Sequence, residues 1–179
     1  MTRLTDYIDT ELGFILRKYK TRDPFKLLDA IGAVTVISDA YSRDGLKGYS
    51  MIMNRIMYAV INGKLPKNER RIVAGHEAAH LILHKRQIMS SPVQMMKDFN
   101  IYDNSGRFER EANTFLADFL VSDEDVLDVI AYDSDFFNAA RELRLPAQLF
   151  AFKLYNMARR GHNVHSPVDL DSRFLGDKR

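Results

Sequence analysis

One stretch of this 179-residue chain constrains its fold more than any other: Pro66 to Arg86 reads as a single long helix with polar residues where it should be apolar. Ile72, Val73, Leu81, Ile82 and Leu83 flank its middle, so the spacing predicts a buried helix. Asn68 is the expected N-cap, with Glu69 well placed in the first turn. Yet the middle itself is His76-Glu77-Ala78-Ala79-His80. Polar groups in a buried helix are costly unless they bond something. Two histidines and a glutamate there need a reason.

Residues four apart on a helix differ by about 40° in azimuth, so both imidazoles point the same way and can share one metal ion. Glu77 lies about 100° round from His76, leaning over the position the histidines leave open. His-Glu-x-x-His on a helix, with the glutamate as general base, is the arrangement of a zinc peptidase. Internally hydrogen-bonded histidines would be the plainer reading for one histidine, but not for this set in this helix. His84 sits about 80° round from His76 and two turns on, beyond reach of the same ion. It reads as a packing or supporting residue rather than a ligand.

The chain has no cysteine, which removes thiolate ligands, disulfides and a thiol nucleophile at once. Any metal must be held by His, Asp or Glu. A hydrophobic fraction of 46% and a charged fraction of 28% suit a folded domain rather than a disordered chain. The net charge of +2 is too small to imply a nucleic-acid partner, and Glu69-Arg70-Arg71, Lys85-Arg86 and Arg159-Arg160 are short solvated groups. Arg3, Asp6, Asp9 and Glu11 interrupt the N-terminal apolar residues, so no signal peptide is expected. No window approaches the ~18 apolar residues of a membrane span. The expected location is the cytoplasm.

Around the central helix, Leu4, Ile8, Leu12, Ile15 and Leu16 predict an amphipathic helix over 3–20. Asp23-Pro24 opens a second one, ending near Gly32. Three short β runs follow, 33–38, 47–53 and 56–61, with Asn54-Arg55 as a hairpin turn. Gly45, Gly48, Asn54 and Gly63 punctuate them. Residues 87–106 read as a loop-rich insert with one short helical turn. Helices are expected over 108–121, 123–131, 135–143 and 147–160, then a polar tail from His162. The result is an α+β fold: a small, mostly antiparallel three-stranded sheet packed on a helical core, with extra C-terminal helices. Residues 1–131 are expected to form the main domain, and 132–179 a helical extension and tail packed on it.

A catalytic zinc site keeps three protein ligands and one open position. His162 and His165 are candidates for the third but lie in the tail after a glycine. Glu109 and Glu111, at the start of a helix otherwise filled by Phe115, Leu116, Phe119 and Leu120, are stronger, with Glu109 ahead. Asn113 shares a helix face with Glu109 and could orient a histidine ring. Either glutamate could instead simply favour the helix N-terminus.

The pairing of His76-Glu77-x-x-His80-Leu-x-Leu-His84 with Glu109-x-x-Ala112-Asn113-x-Phe115-x-Ala117-x-x-Leu120 resembles the ImmA/IrrE family of metallopeptidases, over about residues 30 to 130. The resemblance implies a zincin-like core, zinc held by His76, His80 and Glu109, and Glu77 as the catalytic residue. It also implies a cytoplasmic regulatory protease, often of a mobile genetic element or stress circuit, that cleaves a helix-turn-helix transcriptional repressor. The chain departs from the family pattern at Ala79, usually Gly, at Leu116 and Asp118, and at Leu120-Val121-Ser122, usually a Leu-Met-Pro-like stretch. None of these removes a ligand.

Zinc lowers the pKa of water towards ~7, and Glu77 is the expected acceptor of its proton. A second stabiliser of the oxyanion is expected, with Tyr58, Tyr102 and Tyr132 as candidates. The 87–106 stretch, between the two ligand-bearing helices, would border the cleft. A peptide substrate would add as a strand to the sheet edge. Two other readings compete. One is a regulator that keeps the fold and metal but acts by contact, against which the intact Glu77 speaks. The other is a DNA-binding protein using residues 135–160, but 147–160 is too apolar for a recognition helix.

Overall fold

The computed structural model describes residues 2–90, 95–98, 106–132 and 135–167. They divide into two compact units, Met1–Ile101 and Tyr102–Arg179. Among the described residues, no helix is long and apolar enough to cross a membrane.

The first unit opens with α1 (Thr2–Tyr19), which buries Ile8, Leu12 and Ile15 at the spacing the sequence shows. Asp23 caps α2 (Pro24–Ala30) by accepting from the amides of Phe25 and Lys26, and Pro24 supplies a first-turn residue that needs no amide partner. Leu27 and Leu28 bury the inner face of α2. The strands are β1 (Val34–Ser38), β2 (Gly48–Met53) and β3 (Ile56–Asn62). The turn between β2 and β3 is Asn54-Arg55, with φ of 52° and 67°. Positive φ at both central residues is what a tight two-residue hairpin demands.

Strand order is β1-β3-β2-β4, where β4 is Met95–Asp98. β1 runs parallel to β3, while β2 runs antiparallel to both β3 and β4. The three expected strands are present and two of the three pairings are antiparallel. β4 is a fourth strand from within the stretch expected to be loop. The outer strand β1 exposes Val34, Val36 and Ile37.

Asn62, at the end of β3, ties the chain ahead of β2 in place. Its side-chain amide donates to the carbonyls of Ser42 at 2.7 Å and Leu46 at 3.0 Å, and its carbonyl oxygen accepts from the amide of Lys64. Its backbone amide bonds Lys47. α3 (Lys67–Leu83) then packs on β2 and β3, with Ile72, Val73, Ala74, Ala78 and Ala79 fully buried. Two boundaries differ from expectation. Pro66, not Asn68, holds the N-cap position, with no side-chain cap bond, and Asn68 lies inside the helix. The helix stops at Leu83 because His84 leaves helical dihedrals (φ −115°, ψ 19°), and a short α4 (Lys85–Ser90) follows.

The second unit comprises α5 (Arg107–Leu120), α6 (Asp123–Tyr132), α7 (Phe136–Glu142) and α8 (Ala147–Arg159). α5 packs on α8, and Phe115, Leu116 and Phe119 of α5 and Leu149, Phe150 and Met157 of α8 are buried. α8 also buries an ammonium: Lys153 donates to Asp118 at 2.8 Å and to Asp123 at 2.6 Å, and is only 1% exposed. Asn156 and Arg160 complete the bonds to Asp118. Burial would raise the Asp123 carboxyl, but Lys153 and Arg160 outweigh it and hold the group below its ordinary value. That contribution to stability is present above the ordinary carboxylate range and lost as pH falls through it and below.

Candidate metal centre

α3 carries His76, Glu77 and His80, all three with no exposed surface. Helical spacing does what the sequence requires of it: Nε2 of His76 and Nε2 of His80 lie 3.0 Å apart. Two nitrogens held at tetrahedral angles, ~2.0–2.1 Å from one ion, are roughly 3.3 Å apart. The pair is therefore close to ligand spacing already. The rings stand edge to face, with centroids 4.6 Å apart.

Glu77 is set against the sheet. A methyl group at Gly48, the first residue of β2, would lie 2.7 Å from Glu77 Oε1, 2.5 Å from Val73 Cγ1 and 3.0 Å from the Val60 carbonyl oxygen. Only a residue without a side chain lets the strand approach the carboxylate this closely. Sequence reasoning took Gly48 for punctuation; a glycine opening a β run just before a motif helix was the signal available. Gly48→Ala is expected to destabilise the protein by about 1–3 kcal/mol through overpacking. A denaturant midpoint equal to that of the natural chain would show that β2 can move aside freely.

In the second unit Glu109 is half-buried in the first turn of α5, and Asn113, one turn on, is buried. Among the described residues His76, His80 and Glu109 make one group that could hold a metal ion. Each offers one ligand atom, and these atoms lie within 4.8 Å of one another. Two imidazoles and a carboxylate are a donor set that suits a divalent transition metal. Glu111, the other candidate, accepts a bond from Arg107 in its own helix. His162 pairs with Asp123 at 3.1 Å, and His165 is exposed. Of the tyrosines, Tyr58 is half-buried, Tyr132 is 91% exposed and Tyr102 lies outside the described residues.

A buried helix presenting two convergent histidine nitrogens, with a carboxylate between them and a small mixed sheet alongside, defines a domain of the metallopeptidase class. The comparison of families is more specific. The chain belongs to the peptidase M78 family, described as the IrrE N-terminal-like domain, whose model matches residues 34–155. Its members are metallopeptidases. No curated protein and no solved structure matches the chain.

Proposed function

We propose that this protein is a zinc-dependent endopeptidase that cuts a regulatory protein, a helix-turn-helix transcriptional repressor. The observation that carries the reaction is the pair of histidine nitrogens 3.0 Å apart with Glu77 buried between them on α3. The resemblance to ImmA/IrrE proteins supports the substrate, the cytoplasmic setting and a link to gene regulation on a mobile element. His76, His80 and Glu109 are the proposed ligands. Asn113, on the same α5 face as Glu109, is the proposed support for one of the rings.

A zinc ion bound there would supply Lewis acidity, lowering the pKa of water to about 7 and polarising the substrate carbonyl. Glu77 takes the proton of the attacking water and hands it to the departing amine. Its backing by Gly48 fixes where that carboxylate stands. An extended substrate adding to the sheet as a strand would present its peptide bonds in a regular row. The alternative of a DNA-reading role for α8 fares less well, because Leu149, Phe150, Phe152, Leu154 and Met157 are buried within its own unit.

Elemental analysis tests the site. The natural chain is expected to carry about one zinc per chain. His80→Ala and Glu109→Ala are each expected to lose most of it. A natural chain that takes up no metal when zinc is supplied would overturn the peptidase reading. Retention by Glu109→Ala alone would move the third ligand elsewhere.

A further inference from the structure

His84, the third histidine of the series, is as buried as the other two, at 1% exposure. Its Nδ1 lies 2.9 Å from Nδ1 of His80, and the two rings have centroids 5.0 Å apart, tilted by 49°. His80 therefore has a neighbour at each ring nitrogen: His76 at Nε2 and His84 at Nδ1. The backbone fixes the spacing, since the His84 amide still bonds the His80 carbonyl at 2.9 Å although its own dihedrals have left the helix.

A neutral imidazole has one N–H and one lone pair. If Nε2 of His80 gives its lone pair to a metal, the proton of that ring is on Nδ1, where only an acceptor can face it. Nδ1 of His84 must then carry a lone pair, with the His84 proton on Nε2. The reverse arrangement has His84 donating from Nδ1. It leaves the His80 proton on Nε2, exactly where a metal would have to bind.

We propose that His84 is a positioning residue whose Nδ1 lone pair holds His80 in the Nδ1–H tautomer, keeping Nε2 open to a divalent metal cation. The inference rests on the metallopeptidase reading above. Metal-binding histidines commonly donate their second N–H to a carboxylate, a carbonyl or water, which sets ring orientation and basicity. Here that acceptor is another imidazole, one turn along the same segment. Once a metal takes the Nε2 lone pair of His80, the 2.9 Å bond can form only with His84 accepting at Nδ1, so metal binding and this bond favour the same tautomer of His80.

The test compares zinc affinity, by chelator competition, and the visible spectrum of the cobalt-substituted protein for the natural chain, His84→Leu and His84→Asn. The asparagine carbonyl oxygen is as far from Cβ, in bonds, as histidine Nδ1 and can accept; leucine cannot. His84→Leu is expected to bind zinc about 10–100-fold more weakly, with a shifted cobalt spectrum, and His84→Asn to restore most of the affinity. Should the leucine variant fail to fold, nitrogen-15 spectra of the zinc-loaded natural chain decide. They are expected to show His84 unprotonated at Nδ1 and protonated at Nε2. Undiminished affinity in His84→Leu, or a proton on Nδ1 of His84, overturns the role of His84 alone. A natural chain that binds no zinc overturns the metallopeptidase reading, and the role of His84 with it.

Discussion

Glu77→Gln is expected to leave a folded, zinc-loaded protein that cuts its substrate about 10²–10⁴-fold more slowly, the usual contribution of a positioned acid–base group. The amide has nearly the shape of the carboxylate, so it fits the space between α3 and Gly48. It cannot take a proton from water. The ligands His76 and His80 are untouched, so zinc content should match that of the natural chain. Stability should not fall either, because a fully buried carboxylate is replaced by a neutral group. The measurement is the cleavage rate at equal zinc occupancy. A Glu77→Gln protein as fast as the natural chain would remove Glu77 from the chemistry.

The second large effect lies in the helical unit. Asp118→Ala should destabilise that unit by about 3–5 kcal/mol, because it strips a partner from a buried charge. Asp118 is 4% exposed and accepts from Lys153, Asn156 and Arg160. Without it the Lys153 ammonium keeps Asp123 but stays buried between α5 and α8. Asp123→Ala should cost less, about 1 kcal/mol, since Asp123 is part-exposed at 28%, its pair with Arg160 is solvent-screened, and the buried Lys153 ammonium keeps Asp118. Lys153→Met in the Asp118→Ala background should recover much of the loss by removing the stranded charge. Thermal unfolding of the four proteins measures this. Equal losses for the two aspartates would mean that burial does not govern the network.

Much of this was legible in the residues because local and global signals agree. β1 is a β-branched run, Asn54-Arg55 sits where both residues can adopt positive φ, and Asp23-Pro24 caps and opens a helix. The histidine pair was legible because helical periodicity alone brings the rings together. What escaped reading was set by tertiary context. Met95–Asp98 has no β-branched residue and no alternation; it is a strand because β2 offers it a partner. Lys153 is one cation in a largely apolar helix, and no local pattern announces its partners, which lie 35 and 30 residues away. The periodic pattern runs on to Arg86 while α3 ends at Leu83, since no glycine or proline marks His84 and its dihedrals change there without a sequence signal.

Asn62 gives the register of the sheet a chemical meaning. Side chains alternate along a strand, so sliding β2 by one residue would bring Lys47 or Tyr49 to the place of Gly48. Either would drive a side chain into the carboxylate of Glu77. The bonds from Asn62 to Ser42, Leu46 and Lys47 forbid that slip, since they clamp the chain immediately upstream of the strand. A neutral amide at the end of β3, outside α3 and with no part in the reaction, thus acts as the stop that keeps the proton acceptor in line.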